Sequence, residues 1–389
     1  MKICIVHNEY GKLSGEEIVV GNIRSLLEEH GHEVIPFFRS SAEIPSMLFG
    51  NIRAFFNGIY SVHSQRKMRQ ILQREQPDIV HIHNLFPLIS PSILPECKKA
   101  GVPAVMTVHN YRLICSNGLY MTEGHICEKC SYGNEYWCVI RNCEKNLFKS
   151  FGYALRNYAS RKKRFFLDNI AIYAALTEFQ REKLIMQGFP RDKIVVIPNM
   201  IKTDITSTQS PLGDYIGFAG RISPEKGIST LMNAARMCDD ISFKLAGNYD
   251  KMPELVSQSP KNFEFLGHLD SSNLNRFLSL SRIIVLTSIC YEGFPMLLAE
   301  AMIHEKPVIC SRIGGLPEIV EHGVNGLLFE PGNAEDLADK IRYLWDRPEL
   351  CRKMGQAGRE KVLREYSSEK YYERLMDCYQ KAVEFQRSK

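Results

Sequence analysis

Two short stretches hold residues suited to managing a strongly anionic leaving group. Gly220-Arg221-Ile222-Ser223-Pro224-Glu225-Lys226-Gly227 sets two cations five residues apart. A strand is predicted before it (215–219) and a helix after it (228–237). Glycine permits close backbone approach to a ligand, and a helix N-terminus attracts anions. A diphosphate needs both features. The second stretch, Glu292-Gly293-Phe294-Pro295-Met296-Leu297-Leu298-Ala299-Glu300, sets two carboxylates eight residues apart. Pro295 suits a first helical turn, which puts Glu300 about a turn and a half inside the helix. A carboxylate accepting from two hydroxyls suits a ribose diol. Each stretch also has a plainer reading: a surface turn with solvated cations, and a helix whose N-terminal acid favours the dipole. Elsewhere, two strand-like runs each end in His-Asn, at His83-Asn84 and His109-Asn110.

Five of the twelve cysteines crowd into one region: Cys115, Cys127, Cys130, Cys138 and Cys143. Cys127-Glu128-Lys129-Cys130 has the C-x2-C spacing of half a zinc site. A structural zinc on four of the five is one expectation; unligated cysteines and a regulated disulfide are the others. The scattered seven read as small core hydrophobes. Net charge is +5, yet residues 141–170 alone carry eight Lys or Arg against Glu144 and Asp168. Apolar companions from Leu147 to Phe166 make residues 145–166 a candidate for peripheral contact with an anionic membrane. Nucleic acid is the poorer partner for this stretch.

The elements that must position these residues alternate. Strands are expected at 2–6, 33–38, 79–82 and 102–108, with helices at 16–30 and 64–75. A polar, Pro- and Gly-containing segment at 200–214 reads as a linker. The alternation then restarts with strands near 215–219, 243–246, 263–265, 283–286 and 308–310, and ends in a long helix over 370–385. Such alternation predicts an α/β protein of two doubly wound domains, 1–200 and 201–389, with ligands at the carboxyl ends of the strands. No apolar run of about 18 residues is present, so no membrane span is expected. The first apolar run is too short for a signal peptide, so the expected compartment is the cytoplasm. Residues 11–21 lack G-x-G-x-x-G, which argues against a dinucleotide-dependent dehydrogenase.

Taken together, these motifs resemble the family-four (GT4) retaining glycosyltransferases of the GT-B fold. Glu292 and Glu300 match the family's E-x7-E signature. Gly220, Arg221, Lys226 and Gly227 match G-R-x-x-x-x-K-G. Ile79 to Asn84, Thr107 to Asn110, Val196 to Asn199, Gly267-His268-Leu269 and Gly314 to Glu318 keep family order. Ser14-Gly15-Glu16-Glu17 departs from the usual Gly-Gly-x-Glu by a serine.

The resemblance implies two Rossmann-like domains facing across a cleft, with the C-terminal helix packing back toward the N-terminal domain. The first would be acceptor-binding, with a cysteine-rich loop at 115–143; the second would bind a nucleotide-diphosphate sugar. It implies that Arg221 and Lys226 grip the diphosphate, Glu300 the ribose and Glu292 a sugar hydroxyl. His109 would contact the donor sugar, and Phe294, Pro295, Met296 and Leu297 would face sugar and phosphate. His268 and Leu269 would flank the base, and Gly15, Glu17, Asn199 and Gly220 would complete the substrate contacts. The reaction expected is transfer of a hexose-type sugar, from a UDP-sugar by preference with a GDP-sugar as the alternative donor, to a glycan or lipid-linked acceptor. The expected setting is surface polysaccharide assembly at the inner face of a membrane, with no catalytic cofactor. A non-catalytic sugar-nucleotide-binding regulator and a sugar-nucleotide epimerase are the alternatives.

Overall fold

A computed structural model describes residues 1–11, 14–202, 212–250 and 252–387. Most of the expected linker therefore lies outside the described residues. The chain divides into two compact units. The first comprises Met1–Tyr120, Cys127–Asn199 and Tyr371–Lys389; the second comprises Met121–Ile126 and Met200–Lys370.

The first unit is built on six strands: β1 Lys2–Glu9, β2 Glu33–Ser40, β3 Ile79–Asn84, β4 Ala104–Val108, β7 Ile172–Ala175 and β8 Ile194–Val196; the short hairpin strands β5 Met121–Thr122 and β6 His125–Ile126, which follow β4 in the chain, group with the second unit. The six lie in the order β2-β1-β3-β4-β7-β8, and every pairing is parallel. β3, β4 and β7 are buried along their whole length, as parallel strands covered on both faces must be. The order reverses between β1 and β3, which is the sheet's switch point. Two asparagines pin it. Asn84 Nδ2 donates to Asn8 O at 2.7 Å, and Asn8 Oδ1 accepts from the Leu88 amide at 2.8 Å.

The second unit carries β9 Tyr215–Ala219, β10 Ser242–Ala246, β11 Phe263–Gly267, β12 Ile283–Leu286, β13 Val308–Ser311 and β14 Gly326–Phe329. The order is β11-β10-β9-β12-β13-β14, again all parallel. This is the doubly wound order with its switch point between β9 and β12. Both units are thus Rossmann-like α/β sheets.

The last helix, Ser368–Arg387, groups with the first unit from Tyr371 onward. A division that gives everything after residue 200 to the second domain misses this. Tyr371, Leu375, Cys378, Tyr379 and Ala382 are its buried stripe. The Tyr379 hydroxyl sits 2.7 Å from His81 Nδ1 inside the first sheet.

Candidate active site

The two charged stretches of the second unit meet at its switch point. The loop after β9 holds Gly220 to Gly227, and the loop after β12 holds Ser288 to Pro295. They are stitched together by backbone. Thr287 Oγ1 donates to Lys226 O at 2.7 Å, and the Ile289 amide donates to Glu225 O at 2.9 Å. Gly227 makes this approach possible. It has φ +66°, and a Cβ there would lie 1.9 Å from Thr287 O. The stitching delivers Lys226 Nζ to 2.6 Å from Glu292 Oε1, and the Ser288 hydroxyl bonds the same oxygen. Both charged side chains are largely withdrawn from solvent, at 17% and 14% exposure. Burial pushes the Glu292 carboxyl up, but the Lys226 ammonium and Ser288 more than offset it, so the group ionises below the ordinary carboxylate value.

Arg221 is different. It is two-thirds exposed and pairs with Glu225 at 2.6 Å. Pro295 occupies the N-cap of the helix Met296–Ile303, one position earlier than the first-turn place expected from sequence. Having no N–H, it adds no donor; Met296 and Leu297 supply amides with no intrahelical partner. Leu297 and Phe294 are buried, and Phe294 stands edge-on to Tyr366 at 5.0 Å. Glu300 is partly buried in that helix, and burial lifts its carboxyl to about 7. His268 is exposed after β11, and Leu269 is half-buried beside it. Gly220 follows β9, its amide donating to Ala246 O at 2.9 Å.

The first unit has a cluster of its own at the carboxyl ends of β1, β3 and β4. His83 Nδ1 lies 2.9 Å from His109 Nε2. The rings of His81 and His83 are 4.2 Å apart, and His81 Nε2 bonds Thr107 Oγ1 at 2.8 Å. Burial lowers His81 to about 3, His109 to about 4, and His83 well below its ordinary value. All three are neutral imidazoles at neutral pH. His7 on β1 faces Glu16 at 3.8 Å, and the Tyr10 hydroxyl bonds both Glu16, at 3.0 Å, and Arg112, at 3.0 Å. Among the described residues, both His7 nitrogens, His83 Nε2 and Glu16 Oε1 are buried without a hydrogen-bond partner. Buried polar atoms seldom stay unsatisfied, so these atoms have capacity to bond ordered water or a polar ligand group.

Sequence reasoning passed over His7, Glu16, His83 and Arg112 as site residues. The signal available was the His-Asn pair at the end of each strand. Ser14 caps the helix Gly15–Glu29, accepting from the Glu16 amide and bonding Glu17, while Glu17 also accepts from the Tyr10 amide at 2.7 Å. A serine here therefore fixes the helix start, and a Cβ at Gly15 would meet nothing within 4 Å. Asn199 is buried, with Oδ1 lacking a described partner.

The cysteines form two thiol pairs. Cys115 contacts Cys130 and also donates to Asn117 Oδ1 at 3.0 Å; Cys138 contacts Cys143. Cys130 and Cys138 share a small buried cluster with Ala154, and Cys127 is half-buried. Among the described residues, no group of three or more His, Cys, Asp or Glu side chains is placed to hold a metal ion. Beside this loop a cavity of about 310 Å³ is lined by Arg112, Cys130, Asn157, Ser160 and Arg161, among others.

Comparison with known proteins agrees with this architecture. The family described as Glycosyltransferase Family 4 matches residues 13–205, and that described as Glycosyl transferases group 1 matches residues 205–361. An uncharacterized glycosyltransferase of Methanocaldococcus jannaschii is 27% identical over 92% of this chain and 93% of its own. The N-acetyl-alpha-D-glucosaminyl L-malate synthase of Bacillus anthracis is 25% identical over 97% of this chain and 98% of its own. Among solved structures, Thermosynechococcus elongatus sucrose-phosphate synthase superposes with a TM-score of 0.73 at 17% identity, covering 97% of this chain and 98% of that one. Anabaena HepE in complex with UDP and glucose gives 0.67 at 18%, with the same coverage. Two parallel doubly wound sheets with these matches define a glycosyltransferase of GT-B type. The chain belongs to the family-four glycosyltransferases.

Proposed function

We propose that the chain transfers a hexose-type sugar from a UDP-sugar to a glycan or lipid-linked acceptor, with retention of anomeric configuration, in surface polysaccharide assembly at the inner face of a membrane. The observation that supports the donor half is the Lys226–Glu292 pair, 2.6 Å apart at the switch point of the second sheet. A nucleotide diphosphate departs with growing negative charge. Lys226, Arg221 and the amides of Met296 and Leu297 supply fixed positive potential for it without an added ion. Glu292 then accepts from a sugar hydroxyl while Lys226 holds it ionised. Glu300 accepts from the ribose, His268 and Leu269 flank the base, and His109 contacts the donor sugar. Among the described residues no side chain stands out as a nucleophile, so the reading is front-face attack by the acceptor hydroxyl, whose proton passes to the leaving phosphate. HepE's complexes with UDP and UDP-glucose favour uridine. The Arg112–Tyr10–Glu16 cluster and its neighbouring cavity are the proposed acceptor side.

The test mixes purified protein with UDP- and GDP-sugars and follows nucleotide diphosphate release with and without an acceptor extract. Acceptor-dependent UDP release, with an α-linked product by NMR from an α-linked donor, is expected. Release from GDP-sugars alone, an inverted product, or a trapped glycosyl-enzyme overturns the corresponding part.

A further inference from the structure

We propose that the first unit docks on an anionic lipid bilayer through two helices that pack side by side, Gly50–Ile59 and Leu147–Lys162. They are far apart in sequence. Phe55 stacks on Phe148 with ring centroids 5.2 Å apart, and a Cβ at Gly152 would lie 2.7 Å from the Phe55 ring. Glycine at 152 thus lets the two helices close on each other. Phe56 stands edge-on to Phe55, also at 5.2 Å, so the aromatic surface runs unbroken from one helix to the other.

That surface faces water. Leu48 is 76% exposed, Phe49 69%, Phe56 62%, Leu147 62% and Phe148 63%, with Ile52 and Phe151 about half exposed. Scattered single exposures are ordinary, but a contiguous patch of this kind marks an interaction surface.

Charge identifies the partner. Neither residues 44–63 nor residues 145–167 contain a single Asp or Glu. Arg53, Lys145, Lys149 and Lys162 are exposed on or beside these two helices, and among the described residues none of the four is held in an ion pair, although Lys149 feels the charge of Glu144. Not every cation of the stretch is exposed and unpaired. Arg156 is buried, Arg161 is held by Glu135 at 2.7 Å, and Arg164 by Asp168 at 3.0 Å. Phe165 and Phe166 also turn into the core. Large exposed apolar side chains on segments that carry exposed cations and no carboxylate of their own match the acyl–headgroup boundary of a bilayer rich in anionic lipid. No helix among the described residues is long and apolar enough to cross a membrane, so the contact lies on the surface. The proposal extends the contact expected at 145–166 to a second helix that sequence alone left unassigned. It stands apart from the transfer reaction, because lipid binding is read without donor or acceptor.

Co-sedimentation of the full chain with vesicles tests it, comparing pure phosphatidylcholine with vesicles that also contain phosphatidylglycerol. Binding is expected to the second only. Phe49→Ser/Ile52→Ser/Leu147→Ser and Lys145→Gln/Lys149→Gln/Lys162→Gln should each weaken it by about 10- to 100-fold. Their melting temperatures and their activity on a water-soluble acceptor should stay at the parent values. Three outcomes overturn the proposal. The parent chain fails to bind phosphatidylglycerol vesicles; the serine triple variant binds as well as the parent; or the patch instead drives concentration-dependent self-association that the serine triple variant abolishes.

Discussion

At the scale of single residues, the donor-side pair makes the sharpest demand. Lys226 and Glu292 are mutually buried, so removing either leaves the other uncompensated. Lys226→Ala should lower turnover by about 10²-fold or more and also destabilise the fold by about 3 kcal/mol. The double variant Lys226→Met/Glu292→Gln should recover the melting temperature and leave turnover low. Recovery of turnover would remove the pair from the mechanism. Glu300 makes a pH prediction. An unfolded glutamate ionises near its ordinary 4.5, whereas the folded chain holds the proton to about 7. The folded state therefore binds more protons between those values, and its stability falls as pH rises across that window and levels off above it. Glu300→Gln should remove that fall, worth at most about 3 kcal/mol, in melts taken at pH 5 and pH 8. If Glu300 also grips the ribose, UDP affinity should weaken below pH 7 in the parent and stay level in the variant. His83 supplies the test of the other cluster. Asparagine can place a polar atom where Nδ1 stands, so His83→Asn should keep most activity while His83→Leu loses about 10-fold or more in kcat with little change in KM. Equal losses would make His83 merely structural.

At the scale of elements, the donor site depends on a glycine with no freedom to change. Gly227→Ala forces φ +66° on a residue with a Cβ and drives that Cβ into Thr287 O. A loss of about 1–3 kcal/mol is expected by thermal melt, with turnover falling because Lys226 moves off Glu292. The loop and its glycine were legible in the sequence because the motif is local and strand and helix flank it. The strands through β4 and through β13 were legible for a similar reason, since Val- and Ile-rich runs in parallel sheets are continuous. β7, β8 and β14 were not read as strands. β7 (Ile172-Tyr173-Ala174-Ala175) and β14 (Gly326-Leu327-Leu328-Phe329) lack the β-branched run that marks the equally short β12, and β8 is only three residues long. The Gly50–Ile59 helix was missed because its apolar residues point outward, against the pattern of a core-facing helix. Of the site residues, those on local motifs were found. His7, Glu16 and Arg112 were not, because only the folding of three loops onto one sheet edge brings them together.

At the scale of the whole molecule, the sheet of the first unit is closed by residues that follow the second unit in sequence. Tyr379→Phe leaves His81 Nδ1 without its partner and should cost about 1–2 kcal/mol, read in the melting transition that reports the first unit. Shortening the chain to residue 370 removes the whole buried stripe from Tyr371 to Ala382 and should abolish that transition while a second one survives. A single unchanged transition would show that the helix adds little. The same connectivity has a consequence for biosynthesis. A ribosome delivers residues 1–199 early, but their hydrophobic surface waits for Tyr371, Leu375 and Tyr379 until the entire second unit has been translated. The nascent first half is thus an unfinished body through most of elongation, exposed to chaperones and to misassembly, and its completion is timed by the arrival of the last helix.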